Sequence, residues 1–339
     1  TKAAYRRRQT AVAHRGLTAK AIFLAALAAA GPSSGQPVEL IFPLDCVLGQ
    51  TCYIEDYVDL DPGDGHTDYR CGLKSRDGHK GTDIGLLSEQ QMTQGVNVIA
   101  AASGRVRAVR DGLPDRPVTP QNRASIAGQE CGNAVAVQHH GGWETRYCHL
   151  KNNSLRKKPG DMVQTGDVLG QVGMSGLSNF PHLHLSVSKN GKTIDPFRTE
   201  QTQTCSRTKG NGLWYQAPAY SPAGLFAVGF SAQIPSFADV KTGAARQTSL
   251  GRYDPALVLY GYAFYAEAGD LIHLRVIGPG NLSFEHETQI EKTQNQLFRA
   301  FGKRRPKAGW PSGEYRGVVT LWRNNRILAV RQTRLTVTP

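Results

Sequence analysis

Residues 133–149 read NAVAVQHHGGWETRYCH, and this stretch indicates the class of fold. Apolar side chains alternate on either side of a central His-His-Gly-Gly segment, which is the pattern of two half-buried β-strands joined by a tight turn. The turn is centred either on His139-His140 or on Gly141-Gly142. We therefore predict an antiparallel β-hairpin.

Further short segments with strand character surround this hairpin from residue 38 to residue 200, separated by Gly, Asp and Pro turns. They cover residues 96–100, 104–109, 159–163, 166–173 and 182–188. Residues 111–130 are a Pro-, Gln- and Arg-rich insertion without a clear period, and long loops of this kind often line binding sites. The pattern predicts an all-β domain over 38–200.

A second set of strands follows a polar segment at 205–211. The predicted strands cover residues 257–264, 271–276, 317–322 and 327–337. Spaced strands with turn signals between them are typical of a β-sandwich. Gly313-Glu314-Tyr315 is similar to the lead-in to the penultimate strand of an immunoglobulin-like domain. We expect a β-sandwich over 205–339, with an immunoglobulin-like fold as one form of it.

The first 30 residues differ in composition from the rest. Six basic side chains are followed by an apolar run at 21–30, in which Ala28 and Ala30 give the small-x-small pattern of a signal-peptidase site. The run is about half the length of a membrane span. We predict a signal peptide at 1–30, a linker at 31–37, a periplasmic or secreted protein, and no membrane span after cleavage.

Loss of the six basic residues would lower the formal net charge from +13 to +7. A moderately basic exported chain suits an anionic cell envelope, although charge alone names no partner. No nucleic-acid motif occurs, and the basic stretch at 303–307 is interpreted as a solvated loop. Nucleic acid is therefore not a predicted partner.

The chain has six cysteines: Cys46, Cys52, Cys71, Cys131, Cys148 and Cys205. An even number in an exported chain predicts three disulfides. Cys131 and Cys148 lie equally far from His139-His140, and they stay neighbours if the turn moves to the glycine pair. We predict a Cys131–Cys148 bridge.

Three histidine-containing segments carry the predicted chemistry: HKGTD at 79–83, YCHL at 147–150 and PHLHL at 181–185. On a strand, His182 and His184 point to the same face because side chains alternate with a period of two. The same alternation predicts that Tyr147 and His149 share one face and that Cys148 lies on the other.

A catalytic zinc site can be assembled from these segments. Such a site typically has three protein ligands and one open position for water. His79, Asp83 and one histidine of the pair His182 and His184 supply that number. The other histidine of the pair and His149 are then left for proton transfer and oxyanion stabilisation.

Each segment alone is weak, since paired histidines on a strand are common, but the three in this order favour a metal site. Gly81 lets the chain between His79 and Asp83 bend so that both reach one ion. The remaining histidines are assigned to structural or exposed positions: His14, His66, His139, His140, His273 and His286.

Residues 75–197 resemble the lysostaphin-type, LytM-like zinc metallopeptidases of bacterial cell walls. Besides the histidine segments, the shared features are GVNV at 95–98, GRV at 104–106, GN at 132–133 and GMSG at 173–176. The resemblance implies an antiparallel catalytic sheet of the duplicated hybrid motif type. The insertion at 111–130 departs from the family, and it is expected to be a groove wall, a lid or a docking loop.

The resemblance also implies roles for the site residues. One zinc ion per chain would be bound by His79, Asp83 and His184, with His149 and His182 as the catalytic pair. Which of the pair acts as the base and which stabilises the oxyanion stays open.

The activity implied by the resemblance is hydrolysis of the peptide cross-links of peptidoglycan by a zinc endopeptidase. Several cysteines indicate an oxidising compartment such as a bacterial periplasm. Cross-links of the thin wall there usually join D-alanine to a diamino acid. D-alanyl–diaminopimelate bonds are therefore the expected target rather than glycine bridges. The alternative is a non-hydrolytic LytM-like regulator that activates another hydrolase, against which the five site residues argue. The unit at 159–170 resembles lipoyl and biotinyl carrier domains but lacks their hairpin lysine. For residues 205–339, the predicted partner is an envelope protein.

Overall fold

The computed structural model describes residues 37–198, Cys205 and 212–339. The predicted signal peptide, residues 31–36 of the predicted linker and residues 206–211 of the polar segment lie outside the described residues. Across the part of the chain that is described, no helix is both long enough and apolar enough to cross a membrane.

Ten strands lie within the described residues 37–198, which are called the first half here, and every pairing among them is antiparallel. They are β1 (Cys52–Asp56), β2 (Thr82–Leu86), β3 (Asn97–Ile99), β4 (Gly104–Arg110), β5 (Asn133–Gln138), β6 (Trp143–Leu150), β7 (Met162–Val163), β8 (Val168–Gln171), β9 (His182–Lys189) and β10 (Lys192–Thr193). The main sheet has the order β1-β2-β9-β6-β5-β4-β7, with β10 beside β9, while β3 and β8 pair separately. One short helix, α1 (Glu89–Gln94), follows β2.

The predicted hairpin is formed by β5 and β6. Gln138 pairs with Glu144, which centres the turn on Gly141. Gly141 and Gly142 have φ angles of 63° and 77°, a left-handed conformation that glycine adopts without a steric penalty. The turn therefore uses the glycine pair rather than the histidine pair.

All six cysteines are bridged, which confirms the prediction of three disulfides and of the Cys131–Cys148 pair. The bridges are Cys46–Cys52, Cys71–Cys205 and Cys131–Cys148. A disulfide stabilises a protein mainly by restricting the unfolded chain, and the effect grows with the length of the closed loop. The Cys71–Cys205 bridge spans 134 residues, so it closes by far the longest loop of the three.

Eight strands form the second half, which confirms the all-β class for the rest of the described chain. They are β11 (Gly224–Ser231), β12 (Ser249–Gly251), β13 (Ala256–Ala266), β14 (Leu271–Ile277), β15 (Ser283–Gln289), β16 (Gln294–Arg304), β17 (Gly313–Arg323) and β18 (Arg326–Thr338). One sheet has the order β11-β13-β16 and the other β12-β18-β17-β14-β15. The helix α2 (Phe237–Thr242) connects β11 to β12.

These two sheets share one hydrophobic core. Gly261 on β13 faces β17 so closely that a Cβ atom there would lie 2.7 Å from Cγ1 of Val319. On β17, the Tyr315 hydroxyl donates a hydrogen bond to the carbonyl of Pro311 at 2.9 Å. A tyrosine that bonds back to the chain at this corner is a feature of immunoglobulin-like domains. The immunoglobulin-like form stays a prediction that this contact supports.

The first half has a core of its own, which extends beyond residue 200. Leu213 and Trp214 pack into it, and the amide of Leu40 donates to the carbonyl of Leu213 at 2.8 Å. In the other direction, Tyr53 and Phe180 pack into the core of the second half. The domain boundaries at 200 and 205 stay predictions. Residues from each side of them pack into the core of the other side.

A buried lysine joins the two halves. The Nζ atom of Lys74 donates to the carbonyl of Ile54 on β1 at 2.6 Å and to the carbonyl of Ser221 at 2.9 Å. The side chain is 1% exposed and its amine lies 4.8 Å from the centre of the Phe264 ring. Burial penalises the charged amine and lowers the pKa of Lys74 from 10.5 to about 8, although nearby carboxylates oppose the shift.

Replacing Lys74 by Met should remove a pH dependence of stability. Between pH 8 and 10.5 the amine is neutral in the folded protein and protonated in the unfolded chain, so the free energy of unfolding rises with pH in this window. Below it both states are protonated, and the cost of the buried charge is fully present. In urea unfolding experiments, the free energy of unfolding of the parent should rise by at most about 3 kcal/mol across the window relative to that of Lys74→Met. Identical pH profiles for the two proteins would contradict this.

Candidate functional site

Three neighbouring strands bring the predicted site residues into one row. In the sheet Asp83 on β2 pairs with His184 on β9, and His184 pairs with Cys148 on β6. Residues directly opposite each other point to the same face, and His182 shares it because it is two positions from His184. His79 reaches the same point from the loop before β2.

His79, Asp83 and His184 converge on a common point. The Oδ1 atom of Asp83 lies 2.7 Å from Nδ1 of His184 and 3.1 Å from Nε2 of His79. The two nitrogens are 3.2 Å apart, and the three ligand atoms all lie within 4.8 Å of one another. Two imidazoles and one carboxylate are a donor set that suits zinc, so the residues fit the ion that the sequence predicts.

Hydrogen bonds outside this group orient both imidazoles. Nδ1 of His79 lies 2.7 Å from the carbonyl of Tyr57, and Nε2 of His184 lies 2.9 Å from the Ser186 hydroxyl. A metal-binding imidazole usually donates its other N–H to such a partner. His79 therefore offers Nε2 to a metal and His184 offers Nδ1. Gly81 lies at a bend, and it also leaves room, since a Cβ there would lie 2.5 Å from Nε2 of His184.

An arginine that the sequence analysis did not single out completes the surroundings of Asp83. Nη2 of Arg76 donates to Oδ2 of Asp83 at 2.7 Å, which leaves Oδ1 for the histidines. Burial opposes ionisation of this carboxyl, but His79, His184 and then His182 outweigh it and hold the pKa of Asp83 well below its usual range. In the sequence, the feature that could have pointed to Arg76 is its position three residues before His79.

The predicted catalytic pair lies beside the ligands. The ring centres of His149 and His182 are 4.5 Å apart, and Nε2 of His182 is 3.9 Å from Oδ2 of Asp83. Nδ1 of His149 lies 2.8 Å from the carbonyl of Ser175, and Nδ1 of His182 lies 2.8 Å from the carbonyl of Phe180. Because a carbonyl only accepts hydrogen bonds, each ring carries its proton on Nδ1 and keeps a lone pair on Nε2.

Burial sets the protonation of this pair. It holds the pKa of His149 well below the usual value for histidine, and it lowers the pKa of His182 while Asp83 opposes the shift. Both rings are therefore neutral near pH 7 and able to take up a proton. His79 differs: burial lowers its pKa, but the adjacent Asp83 carboxylate outweighs burial and raises it.

The backbone at His149 corrects one sequence-based expectation. Its φ angle is 60°, in the left-handed region that residues with side chains rarely occupy. Tyr147 points into the core, where its hydroxyl accepts from the amide of Ala101 at 2.7 Å, whereas Cys148 lies opposite His184 on the site face. The prediction that Tyr147 and His149 share a face is wrong, because the left-handed turn brings the imidazole to the face of Cys148.

The insertion at 111–130 is hydrogen-bonded close to both members of the predicted catalytic pair. The amide of Val118 donates to the carbonyl of Ser178 at 2.7 Å, and the amide of His149 donates to the carbonyl of Cys131, directly after the insertion, at 2.8 Å. A short 3₁₀ helix, Arg123–Ile126, lies within it. Of the three predicted roles, these contacts favour a groove wall.

A buried histidine outside the site has the structural role expected of it. His139 lies 2.8 Å from the carbonyl of Ser103 through Nδ1 and 2.9 Å from the Thr145 hydroxyl through Nε2. Both ring nitrogens are occupied by these partners, so the ring braces the hairpin against the start of β4. His14 lies outside the described residues.

Comparison with known sequences identifies the class of this domain. Residues 77–196 match the sequence pattern of Peptidase family M23. The chain therefore contains an M23 domain, and the resemblance to lysostaphin-type peptidases is confirmed. The domain includes all five predicted site residues, whereas β1 and the whole second half lie outside the match.

Two curated relatives and one solved structure are similar to parts of this chain. The DD-carboxypeptidase/endopeptidase Mpg of Neisseria meningitidis serogroup B is 33% identical over 111 residues, which are 33% of this chain and 23% of that protein. The peptidoglycan DD-endopeptidase ShyC of Vibrio cholerae is 29% identical over 115 residues, 34% of this chain and 24% of that protein. The catalytic domain of lysostaphin from Staphylococcus simulans aligns with a TM-score of 0.27 at 22% identity, covering 42% of this chain and 85% of that domain. The matches thus span about a quarter of the two curated relatives.

Replacing Asp83 by Ala should abolish metal binding, because the variant loses one of three ligands and leaves Arg76 facing the imidazoles. Metal analysis of the purified parent should find one zinc per chain, and the variant should retain less than about a tenth of that. Asp167→Ala, which removes a partly buried carboxylate that is paired with Lys157 outside the site, is the matched control and should keep the zinc. Stoichiometric zinc in Asp83→Ala would overturn the ligand assignment.

Proposed function

We propose that this protein is a zinc-dependent endopeptidase that hydrolyses peptide cross-links of peptidoglycan. The proposal rests mainly on the composition of the site. The metal-binding group has three members among the described residues, and two neutral imidazoles, each hydrogen-bonded to a backbone carbonyl, lie beside it. A purely structural zinc site is usually closed by four protein ligands, whereas a catalytic one keeps a position open. Three ligands with two adjacent proton acceptors match the catalytic kind.

When zinc is bound by His79, Asp83 and His184, it supplies a Lewis acid for the scissile carbonyl and a hydroxide nucleophile near neutral pH. The chain's own residues hold and move the protons. The Phe180 carbonyl fixes the ring of His182, whose Nε2 can take a proton and return it to the leaving amine. Asp83, 3.9 Å away, stabilises the imidazolium that forms. This neighbour favours His182 as the general base.

His149 has a different environment and therefore a different task. Its pKa is held further down by burial and by the neighbouring His182 and His184, so it competes poorly for the first proton. Because Nδ1 is tied to the Ser175 carbonyl, Nε2 of His149 can donate a hydrogen bond only when the ring is protonated. Oxyanion stabilisation by His149 therefore requires that a proton reaches this ring during the reaction.

The sheet face next to the site suits an acidic peptide. Arg146 pairs with Ser186 in the row that follows Cys148 and His184. Arg146, Arg107 and Lys80 line a hollow of about 480 Å³ in which Glu144 offsets part of the positive charge. A diaminopimelate residue carries a second carboxylate that such a face can bind, whereas a glycine bridge carries none. This charge supports the D-alanyl–diaminopimelate bond as the target, in line with the relative named a peptidoglycan DD-endopeptidase.

The compartment and partners follow from the same proposal. Three disulfides suit an oxidising environment outside the cytosol, so we place the protein in the periplasm or outside the cell. Its substrate partner is peptidoglycan. An envelope protein that binds residues 205–339 remains part of the proposal, and the five site residues argue against a purely regulatory role.

His149→Ala and His182→Ala should each retain one zinc per chain, because neither residue is a ligand in this assignment. Each should lower turnover on peptidoglycan by at least about a hundredfold, the usual scale for a lost general base or oxyanion donor. His140→Ala is the matched control, since this exposed hairpin histidine lies outside the site. A variant of the pair that digests peptidoglycan at the parental rate would remove that residue from the mechanism.

The bond that is cut can be identified by mass spectrometry. The protein should convert D-alanyl–diaminopimelate cross-linked muropeptide dimers to monomers and leave pentaglycine intact, because the cationic hollow binds the acidic peptide. Asp83→Ala serves as the inactive control. Cleavage of pentaglycine alone would refute the proposed substrate, and a zinc-loaded protein that cuts neither would refute the enzymatic function.

A further inference from the structure

A line of polar groups runs from the second half of the chain to the metal ligands. The hydroxyl of Tyr265, on β13, donates a hydrogen bond to Oδ1 of Asp56 at the end of β1. Oδ2 of Asp56 accepts from Nη1 of Arg76. Nη2 of the same arginine donates to Oδ2 of Asp83 at 2.7 Å. Asp56 and Arg76 are each held from both sides in this line, which connects the Asp83 carboxylate to a tyrosine of the second half.

Arg76 determines which oxygen of Asp83 is offered to a metal. With Oδ2 on the guanidinium, Oδ1 is the atom that lies 2.7 Å from His184 and 3.1 Å from His79. A guanidinium has a rigid, planar set of donors, and it can hold two carboxylates at a fixed angle. A lysine at this position would keep the charge but could not fix both carboxylates in this way. Arg76 therefore favours coordination through one oxygen.

The start of the line is itself firmly held. Tyr265 has a φ angle of 48°, which is strained for a residue with a side chain. Its carbonyl accepts from Nη2 of Arg323 at 3.0 Å, and Arg323 is fixed in turn by the buried carboxylate of Asp270 at 2.8 Å. These contacts offset the strain and aim the tyrosine hydroxyl at β1.

A second contact between the halves grips the neighbouring residue of β1. Nε2 of Gln296 on β16 donates to Oε1 of Glu55 at 2.9 Å. Glu55 directly precedes Asp56, and β1 pairs with β2, the strand that carries Asp83. Two side chains from the second half thus hold adjacent carboxylates on the strand beside the metal ligand.

We infer that Tyr265, acting through Asp56 and Arg76, is a positioning residue for the metal centre, so that the second half of the chain sets the affinity for zinc. The inference rests on the metal assignment within the proposed function. It gives residues 205–339 a task at the site, because the hydroxyl that orders Asp56 comes from β13, whereas Asp56 and Arg76 lie in the first half of the chain.

The decisive measurement is the zinc dissociation constant of the full chain, obtained by competition with a chromogenic chelator. Tyr265→Phe removes only the hydroxyl, and it should weaken zinc binding by about tenfold or more, as is usual when a group behind a ligand is lost. Tyr315→Phe is the matched control: it removes a hydrogen-bonding hydroxyl from a buried tyrosine of the same half. It should lower the melting temperature without changing zinc affinity. A Tyr265→Phe protein with the parental dissociation constant would overturn the inference.

Two further variants separate positioning from general destabilisation. Arg76→Lys should weaken zinc binding and change the visible spectrum of the cobalt-substituted protein, because the Asp83 carboxylate is free to rotate. Combined with Tyr265→Phe, its effect should be far from additive, since both changes break one line. Additive losses of affinity would contradict a common line.

The outcome stays distinct from that of the proposed function. A parent that binds zinc but cleaves no muropeptide refutes the enzyme and leaves the affinity test intact. An active parent whose Tyr265→Phe variant keeps full zinc affinity refutes only the positioning role. A parent without zinc overturns both.

Discussion

The carboxylate of Asp83 is the group on which the rest of the site depends. It is 1% exposed, and an ionised carboxylate at that depth costs several kcal/mol unless it is paired and hydrogen-bonded. Its charge is met by imidazoles on one side and by Arg76 on the other. The pairing of β2 with β9 supplies His184, and the loop before β2 supplies both His79 and Arg76. The register of the sheet and the need to compensate the buried charge therefore both place these cationic partners around Asp83. A positive ion bound among the ligands would add to that compensation.

Backbone carbonyls hold both members of the predicted catalytic pair, and the Ser178 hydroxyl also lies 3.2 Å from Nδ1 of His182. Such partners keep their position when the solvent or a substrate rearranges, so the imidazoles are oriented before substrate arrives. The carbonyls of Ser175 and Phe180 belong to the segment between β8 and β9, and the insertion at 111–130 is bonded to that segment through Val118. The disulfide after the insertion joins Cys148, the residue before His149. An apparently extra loop thus helps to fix the geometry of the site.

Local patterns predicted what local geometry determines. The hairpin, the shared face of His182 and His184 and the Cys131–Cys148 bridge follow from alternation and spacing, and the structure contains them. Strict alternation failed at His149, because a single left-handed residue reverses the face and leaves no mark in the sequence. Tyr265 could not be found for another reason: it lies 209 residues from Asp56. No spacing rule connects residues that only the packing of two halves brings together.

The left-handed backbone at His149 has a consequence for descent. A β-branched side chain there would add about 1–3 kcal/mol of strain, whereas glycine, asparagine or aspartate tolerate the conformation. Mutations that remove the imidazole therefore differ in how much they destabilise the fold. The least destabilising ones replace His149 by a small polar residue or by glycine. A lineage that keeps this shape without the proposed hydrolysis should accumulate those residues at position 149 first. The identity of one amino acid can then separate working copies of this gene from those retained for another purpose.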